Sequence, residues 1–489
     1  MTCGDARWGV CFWALRGPYC GVMSPHVRTV RTASGARAVQ IVYSNRGGSR
    51  RLEHIGSAHD EVELEVLKAV ARQRLAAGQG VLDIAGLPQQ QGGPLPIRSS
   101  RMGHLVDAVG EAYRVLGFEK ATGRDEVFKQ LVMARIIEPT SKIDSARVLA
   151  EAGVRGCSYA TLKRRLPVYA TEAFRARVAG ACAARAALGP AALVLYDVST
   201  LYFETDAGDG FREPGFSKER RLEPQITIGL LTDTSGFPLM VNAFEGNKAE
   251  TATMIPVLQA FQAAHGITGV TVVADAGMIS RANQQAIENA GMSFILGARI
   301  PDVPHVIQAW RSSHPDQRPA DGQVFTQPWP ASATDDRRDQ VIYYQYKHDR
   351  GRRTLKGITE QVAKAEKAVV GKVPVKRNRF IRLQGGSKSV NRDLEAKARA
   401  LAGIKGYVTN LPDPTPEFVI GAYHRLYEIE RSFRMSKHDL QARPIFHHKR
   451  ESIDAHLSVV FAALAVTRHI DLTWLMFWGW GGRWVVDLR

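Results

Sequence analysis

The chain has 489 residues, with 65 Lys or Arg against 48 Asp or Glu and a formal net charge of +17. At roughly 100–200 residues per domain, that length exceeds a single core and predicts two to four structural units; 45% hydrophobic and 23% charged residues exclude wholesale disorder and fibrous repeats. So large a positive excess points to a polyanionic partner, nucleic acid first.

Residues 1–22 hold Cys3, Cys11 and Cys20, three of the five cysteines, and show no organising period. They are expected to be a dispensable extension, with Met23 as the working start. Asp5, Arg7 and Arg16 interrupt any continuous apolar stretch there, so no signal peptide is expected. So few cysteines, without zinc-ligand spacing, predict neither a disulfide framework nor a structural zinc, and fit a reducing cytoplasm.

Two strand-like runs, Arg37–Tyr43 and Arg51–Ile55, precede a helical period over Asp60–Ala77 and a Gly- and Pro-rich linker at 86–96. Residues 103–188 are Ala- and Arg-rich and helical in pattern. They include Val127–Ile137 with a break at Pro139, and a Ser158 cap before the basic helix carrying Lys163, Arg164 and Arg165. That helix reads either as the recognition element of a helix-turn-helix or as a solvated basic face.

Strands follow at Ala192–Ser199, Gln225–Leu231 and Pro238–Phe244, the last two joined by the hairpin signal Asp233-Thr-Ser-Gly236. Then come a helix over Glu250–Ala264, a strand over Val270–Asp275, a helix over Arg281–Ala290 and a strand over Ser293–Gly297. This β-β-β-α-β-α-β order describes a mixed sheet covered by helices, the element order of ribonuclease-H-like nucleases. Residues 301–400 look inserted before a last helix over Pro416–Leu440. Between Lys347 and Arg392 there are 14 Lys or Arg against three acidic residues, an electrostatic footprint for phosphate that includes Lys376, Arg377, Arg379 and Arg382. The longest uncharged run near the C-terminus, Leu457–Thr467, has 11 residues, short of the roughly 20 a membrane span needs, and reads as a core helix.

Two aspartates stand out because they interrupt or end apolar strands: Asp197 in Leu195-Tyr-Asp-Val-Ser199 and Asp275 in Val273-Ala-Asp-Ala-Gly277. Asp is disfavoured in strands and a buried unpaired carboxylate is costly, so a compensating charge is required. Two such acids on neighbouring strands favour a divalent cation with oxygen ligands, Mg²⁺ in particular. On the last helix Tyr423, Glu430 and Lys437 recur every seven residues, two turns each, and align beside the apolar face of Leu426, Ile429, Phe433 and Leu440. Glu430 is thus the candidate third acid, with Lys437 along the same line for phosphate, while Glu428 points elsewhere.

Several motifs in order now resemble one family: Tyr196-Asp-Val-Ser-Thr-Leu-Tyr-Phe-Glu204, Gly215-Phe-Ser-Lys218, Pro224-Gln225, Glu245-Gly-Asn247 with Glu250, Ala274-Asp-Ala-Gly-Met278, and Ile429-Glu-Arg-Ser-Phe-Arg434 with Lys437 and Arg443-Pro-Ile445. From about Ser24 to about His469 the chain resembles bacterial insertion-sequence transposases with a DDE triad, IS1634-type members of the IS4 group. The resemblance implies Asp197, Asp275 and Glu430 as catalytic metal ligands for two Mg²⁺ ions, replaceable by Mn²⁺. It makes the basic region the β-rich insertion of the group. The group's last-helix signature is Tyr, two residues, Arg, three residues, Glu, six residues, Lys. Tyr423, Glu430 and Lys437 match, whereas Leu426 holds the Arg position and Arg425 or Arg434 is the candidate substitute.

The implied protein binds the terminal inverted repeats of its element as double-stranded DNA, cleaves them and joins them to target, as a homodimer in a synaptic complex, in the cytoplasm with the nucleoid and without a membrane. A stand-alone Mg²⁺ nuclease and an inactive DNA-binding relic are the alternatives. The expected divisions are the extension 1–22, a small region and linker 23–96, a helical DNA-binding domain 97–188, a ribonuclease-H-like core in two parts (189–300 and 406–470), the basic insertion 301–405, and an atypical tail 471–489. Four tryptophans crowd that tail, a composition that a frameshift near residue 471 would explain.

Overall fold

The computed structural model describes residues 25–32, 35–44, 50–76, 100–188, 192–205, 207–215, 222–265, 269–278, 280–332, 337–374, 378–384 and 387–478. The expected extension, the linker, and Lys376 and Arg377 of the basic run lie outside them. The chain divides into two compact units, residues 1–96 and 97–489.

In the first unit β1 (His26–Arg31), β2 (Arg37–Ser44) and β3 (Arg50–Ala58) form an antiparallel meander under α1 (Glu61–Ala76). Val39, Ile41 and Ala58 of the sheet meet Leu64 and Ala71 of the helix. Asp60 starts that helix by accepting the Glu63 N–H at 2.8 Å, the local bond that makes Asp a good cap. The two strands and the helix fall where the pattern puts them; β1 was not foreseen.

The second unit opens with six helices, α2 (Gly103–Val115), α3 (Phe118–Ala121), α4 (Glu126–Ile137), α5 (Ser145–Glu151), α6 (Tyr159–Ala170) and α7 (Glu172–Ala186). Then come β4 (Leu193–Tyr202), β5 (Gln225–Thr232), β6 (Pro238–Glu245), α8 (Met254–His265), β7 (Thr271–Ala274), α9 (Arg281–Asn289) and β8 (Ser293–Ala298). The chain continues through α10 (His305–Ser313), β9 (Val324–Trp329), β10 (Gln340–Tyr346), α11 (His348–Val369), β11 (Ile381–Gln384), β12 (Ser387–Val390), α12 (Arg392–Ala400) and β13 (Ile404–Thr409). It closes with α13 (Pro416–His424), α14 (Leu426–Arg434), a π-helical turn at Met435–Asp439, and α15 (Arg450–Trp478).

The result is a mixed α/β architecture around one eight-stranded sheet in the order β6-β5-β4-β7-β8-β13-β10-β9. β4, β7 and β8 run parallel and the other pairings are antiparallel. Tyr196 and Asp197 are successive residues of β4 and so face opposite sides. Tyr196 bonds Thr253 just before α8, whereas Leu230, the cross-strand partner of Asp197, meets Phe433 of α14 and Leu457 of α15. Helices therefore cover both faces, and Asp197 lies on the α14 side.

Two expected boundaries dissolve. The helices of residues 103–186 share one apolar core with the sheet and α15 instead of closing a core of their own, and Ser458 of α15 donates to the Tyr169 carbonyl at the end of α6. Residues 301–405 are likewise no separate body, because β9, β10 and β13 extend the main sheet. Pro328 is tolerated in β9 because that strand is an edge. Only α11, β11, β12 and α12 make a small satellite cluster, around Ile358, Val362 and Phe380.

α15 is the one helix among the described residues long and apolar enough to cross a membrane, and it lies in the core. It runs through residue 471 without a break. Its Arg468 is fully buried: the guanidinium donates to Glu428 of α14 at 3.0 Å, to Asp471 at 2.8 Å, and to the Ser235 carbonyl in the β5–β6 turn. Gly236 in that turn has φ +79°, and a Cβ there would lie 2.6 Å from the Glu428 carbonyl oxygen. Removing one partner of a buried ion pair leaves the others uncompensated. Arg468→Ala should therefore cost about 3–5 kcal/mol, read as a lowered denaturation midpoint, and a loss within the range of a surface substitution would show that this contact does not seat α14.

Candidate active site

β4 carries Asp197 on the α14 face because its alternation places Leu195, Asp197 and Ser199 on that side. Asp275 directly follows β7, whose four residues are all buried, so the carboxylate emerges where the strand leaves the core. β4 and β7 are hydrogen-bonded neighbours, with Leu195 opposite Val273. Glu430 comes from α14, whose Ile429 and Phe433 are buried while Glu430 stays exposed. All three carboxylates line one cleft of about 270 Å³, together with Tyr196, Lys405, Tyr423, His424 and Tyr427.

The expected continuous helix Pro416–Leu440 is interrupted. α13 ends at His424, Arg425 caps both pieces, and the last turn widens to a π turn. The break separates two tasks. Tyr423, ending α13, is buried and its hydroxyl donates to Asp275 Oδ1. Its ring lies against Gly297 of β8, where a Cβ would come within 2.6 Å of the Tyr423 hydroxyl, and meets Tyr407 of β13 edge-on at 5.0 Å. Burial, then the bond to the Asp275 carboxylate, raise the Tyr423 phenol above its ordinary range, so it stays a donor. Glu428, on the other side of α14 from Glu430, is the partner of Arg468.

Lys405 was not foreseen. Its ammonium sits 4.3 Å above the Tyr423 ring; burial lowers its pKa while Asp275 and Glu430 pull it up. Burial, then Lys405, Arg350 and Lys347, lower the pKa of neighbouring His424; Arg350 also donates to the Gln345 and Gly403 carbonyls. The signal that marks Asp197, a charge inside an apolar strand, also marks Lys405 in Ile404-Lys-Gly-Tyr-Val-Thr409. The basic segment thus delivers cations to the acid cleft by way of β13 and the start of α11.

No three His, Cys, Asp or Glu side chains among the described residues are drawn into a ready metal-ligating group. The donor chemistry of the cleft still fits a hard divalent ion, since its three acids offer carboxylate oxygens from three separate segments and no thiol.

The other expected DNA contacts are scattered. Arg434 is exposed at the end of α14 and Lys437 is half-buried in the π turn. Arg379 stacks on Phe380 at 4.6 Å, and Arg382 of β11 approaches Asp393 at 3.8 Å. Lys163 and Arg164 are exposed on α6, but Arg165 pairs with the buried Asp125 that caps α4, and Tyr169 donates to the same carboxylate at 3.0 Å. Arg165 thus has a structural task that its place in a basic helix does not reveal.

A family model described as the transposase DDE domain matches residues 189–466. None of the curated proteins matches the chain. Among solved structures, the piggyBac transposase synaptic complex with hairpin DNA is similar at 8% identity and TM-score 0.37, covering 81% of this chain and 71% of that one. The Mos1 transposase paired-end complex with left transposon end is similar at 18% identity and TM-score 0.16, covering 47% and 66%.

Because Gly297 admits the Tyr423 ring, Gly297→Ala should cost about 1–3 kcal/mol by overpacking. In a Tyr423→Phe background, which removes the nearest atom, the cost should shrink, and a double-mutant cycle on denaturation midpoints reads that coupling. Strict additivity would show that Tyr423 is not held by the sheet at this point.

Proposed function

From the premise that this chain belongs to the transposase DDE-domain family, we propose that it is a DNA transposase of the IS4 group, IS1634 type. On this reading it binds the terminal inverted repeats of its own element and catalyses Mg²⁺-dependent cleavage and strand transfer. The observation that carries the proposal is the convergence of Asp197, Asp275 and Glu430, three acids from separate segments within residues 189–466, on one polar cleft. The order β6-β5-β4-β7-β8, an antiparallel meander continued by two parallel strands, supports the ribonuclease-H-like reading.

Asp197, Asp275 and Glu430 would hold the ions, with Mn²⁺ as a substitute for Mg²⁺. Bound there, a pair of divalent cations supplies charge stabilisation to the attacking and leaving oxygens of a phosphodiester displacement. Tyr423 fixes the Asp275 carboxylate through its hydroxyl and keeps one lone pair of that acid oriented. Lys405 places a positive charge where a scissile phosphate would enter, and Lys437 and Arg434 lie farther along the same helical line for the flanking backbone. The exposed Lys163 and Arg164 and the basic segment with Lys376, Arg377, Arg379 and Arg382 are assigned to sequence-independent phosphate contact. Arg165 is left out of this set because it serves Asp125. We assign residues 97–188 to end recognition despite their shared core with the sheet. Double-stranded DNA at both ends and target makes a homodimer the simplest synaptic assembly, acting in the cytoplasm at the nucleoid.

The test is an end-cleavage and strand-joining assay on a duplex carrying the repeats that flank the gene. Asp197→Ala, Asp275→Ala and Glu430→Ala should each lower Mg²⁺-dependent cleavage by about 10³-fold or more, the several kcal/mol that metal-ion charge stabilisation supplies, with duplex binding retained. Near-normal cleavage by any one of them would remove that acid from the site. Cleavage without joining by the unaltered protein would identify a nuclease instead.

A further inference from the structure

A second charged cluster lies outside the acid cleft, built from three stretches of chain that the catalytic reading leaves idle. Arg135 comes from α4, Lys142 from the turn after it, His447 from the segment leading into α15, and His456 from α15 itself. The Lys142 ammonium has only protons to give, so its 3.0 Å contact with His447 Nε2 makes that nitrogen the acceptor and puts the imidazole proton on Nδ1. The His447 ring meets the His456 ring at 5.4 Å, and buried His456 in turn donates to the Ala442 carbonyl at 3.1 Å.

What distinguishes the cluster is the lack of a compensating acid among the described residues. Burial alone lowers Arg135 to about 10; burial and then Arg135 lower Lys142 to about 8; burial, Lys142, Arg135 and His448 lower His447 to about 4. Among the described residues no carboxylate is a leading influence on any of them, or on His456. The nearest acids in sequence are engaged elsewhere: Glu138 with Arg147, and Asp144 with the hydroxyls of Thr140 and Ser141. Partly buried cations are ordinarily paired, and a set without a partner costs stability unless something else supplies the negative charge. Arg135, Lys142 and His447 are only partly buried, and exposed His448 and Lys449 continue the strip outward, so an anion can reach them.

The segment is also fixed relative to the acid cleft. The Ile445 N–H donates to the Tyr202 carbonyl at 3.2 Å, and Ile445 bridges Phe203, directly beyond β4, the strand that carries Asp197.

We propose that Arg135 and Lys142, with Lys142 oriented by its contact to His447, form a binding site for a DNA backbone phosphate. The proposal rests on the transposase reading given above. It differs from the contacts named there because Arg135 and Lys142 lie on α4 and the turn after it, not on α6, in the basic segment or on α14. Phosphodiester and free phosphate share the chemistry of the site; the exposed His448 and Lys449 that continue the strip favour the duplex.

The test uses the full-length protein with a generic 30-base-pair duplex and, separately, inorganic phosphate. Lys142→Met should flatten the slope of log affinity against log salt by about 0.9, equivalent to about a three- to four-fold difference in affinity change between 50 and 200 mM salt, while leaving the melting temperature equal or higher because a costly charge is gone. Lys142→Arg should restore the slope. An unchanged slope in a folded Lys142→Met protein with duplex binding intact overturns this site alone, whereas absence of duplex binding by the unaltered protein overturns the transposase reading itself. Independently of any variant, Lys142 in the unaltered protein should be acetylated by acetic anhydride and protected at least several-fold by the duplex. Labelling indifferent to the duplex, or protection by inorganic phosphate but not by the duplex, overturns the assignment to DNA.

Discussion

The layout of the acid cleft depends on one buried cation. Arg468 has no exposed surface, yet it reaches the turn between β5 and β6, Glu428 on α14 and Asp471 one turn along its own helix. Arg431, also on α14, reaches the same Asp471 at 3.0 Å. Taking a guanidinium out of water is tolerable only with this many acceptors, so the partners cannot drift without leaving it unpaired. Since Glu428 and Arg431 are held, α14 can rotate little about its axis, and Glu430 between them is fixed on the side away from the node, at the acid cleft.

Asp275 is governed by a second, smaller set of constraints. It stands at the end of a short strand, and the buried Tyr423 hydroxyl holds it from above. That arrangement needs a missing side chain at Gly297, where a Cβ would come within 2.6 Å of the Tyr423 hydroxyl. Lys405 then enters through β13, which makes the basic segment part of the same sheet as the acids. A family-wide label of insertion hides this. The segment is inserted in sequence and continuous in hydrogen bonding.

Much of this was legible beforehand because it follows from local patterning. The strands around Asp197 and Asp275 are short apolar runs ended by Gly, Asp and Ser, and Asp233 accepts the N–H groups of Ser235 and Phe237 as a hairpin turn requires. A charge within such a run is conspicuous, which is how the two aspartates were found. The seven-residue spacing located Glu430, although it assumed one continuous helix, and the break at Arg425 carries no Gly or Pro to announce it. What stayed hidden was long-range. Nothing near Arg165 or Lys142 says whether each meets a carboxylate, solvent or another cation, and nothing near Arg468 points to Glu428, because these partners lie 40, 305 and 40 residues away. For the same reason a helical stretch of independent composition looked like its own domain, and β13, flanked by a charged helix, was passed over.

The central claim is that Asp197, Asp275 and Glu430 hold the same divalent ions. Loading the unaltered protein with Fe²⁺ and generating hydroxyl radicals at the bound metal would cut the backbone wherever the chain approaches it. Three cut patches, centred near residues 197, 275 and 430 and suppressed together by excess Mg²⁺, are the predicted result. Cutting at only one or two of these positions, or a pattern that survives excess Mg²⁺, would contradict it.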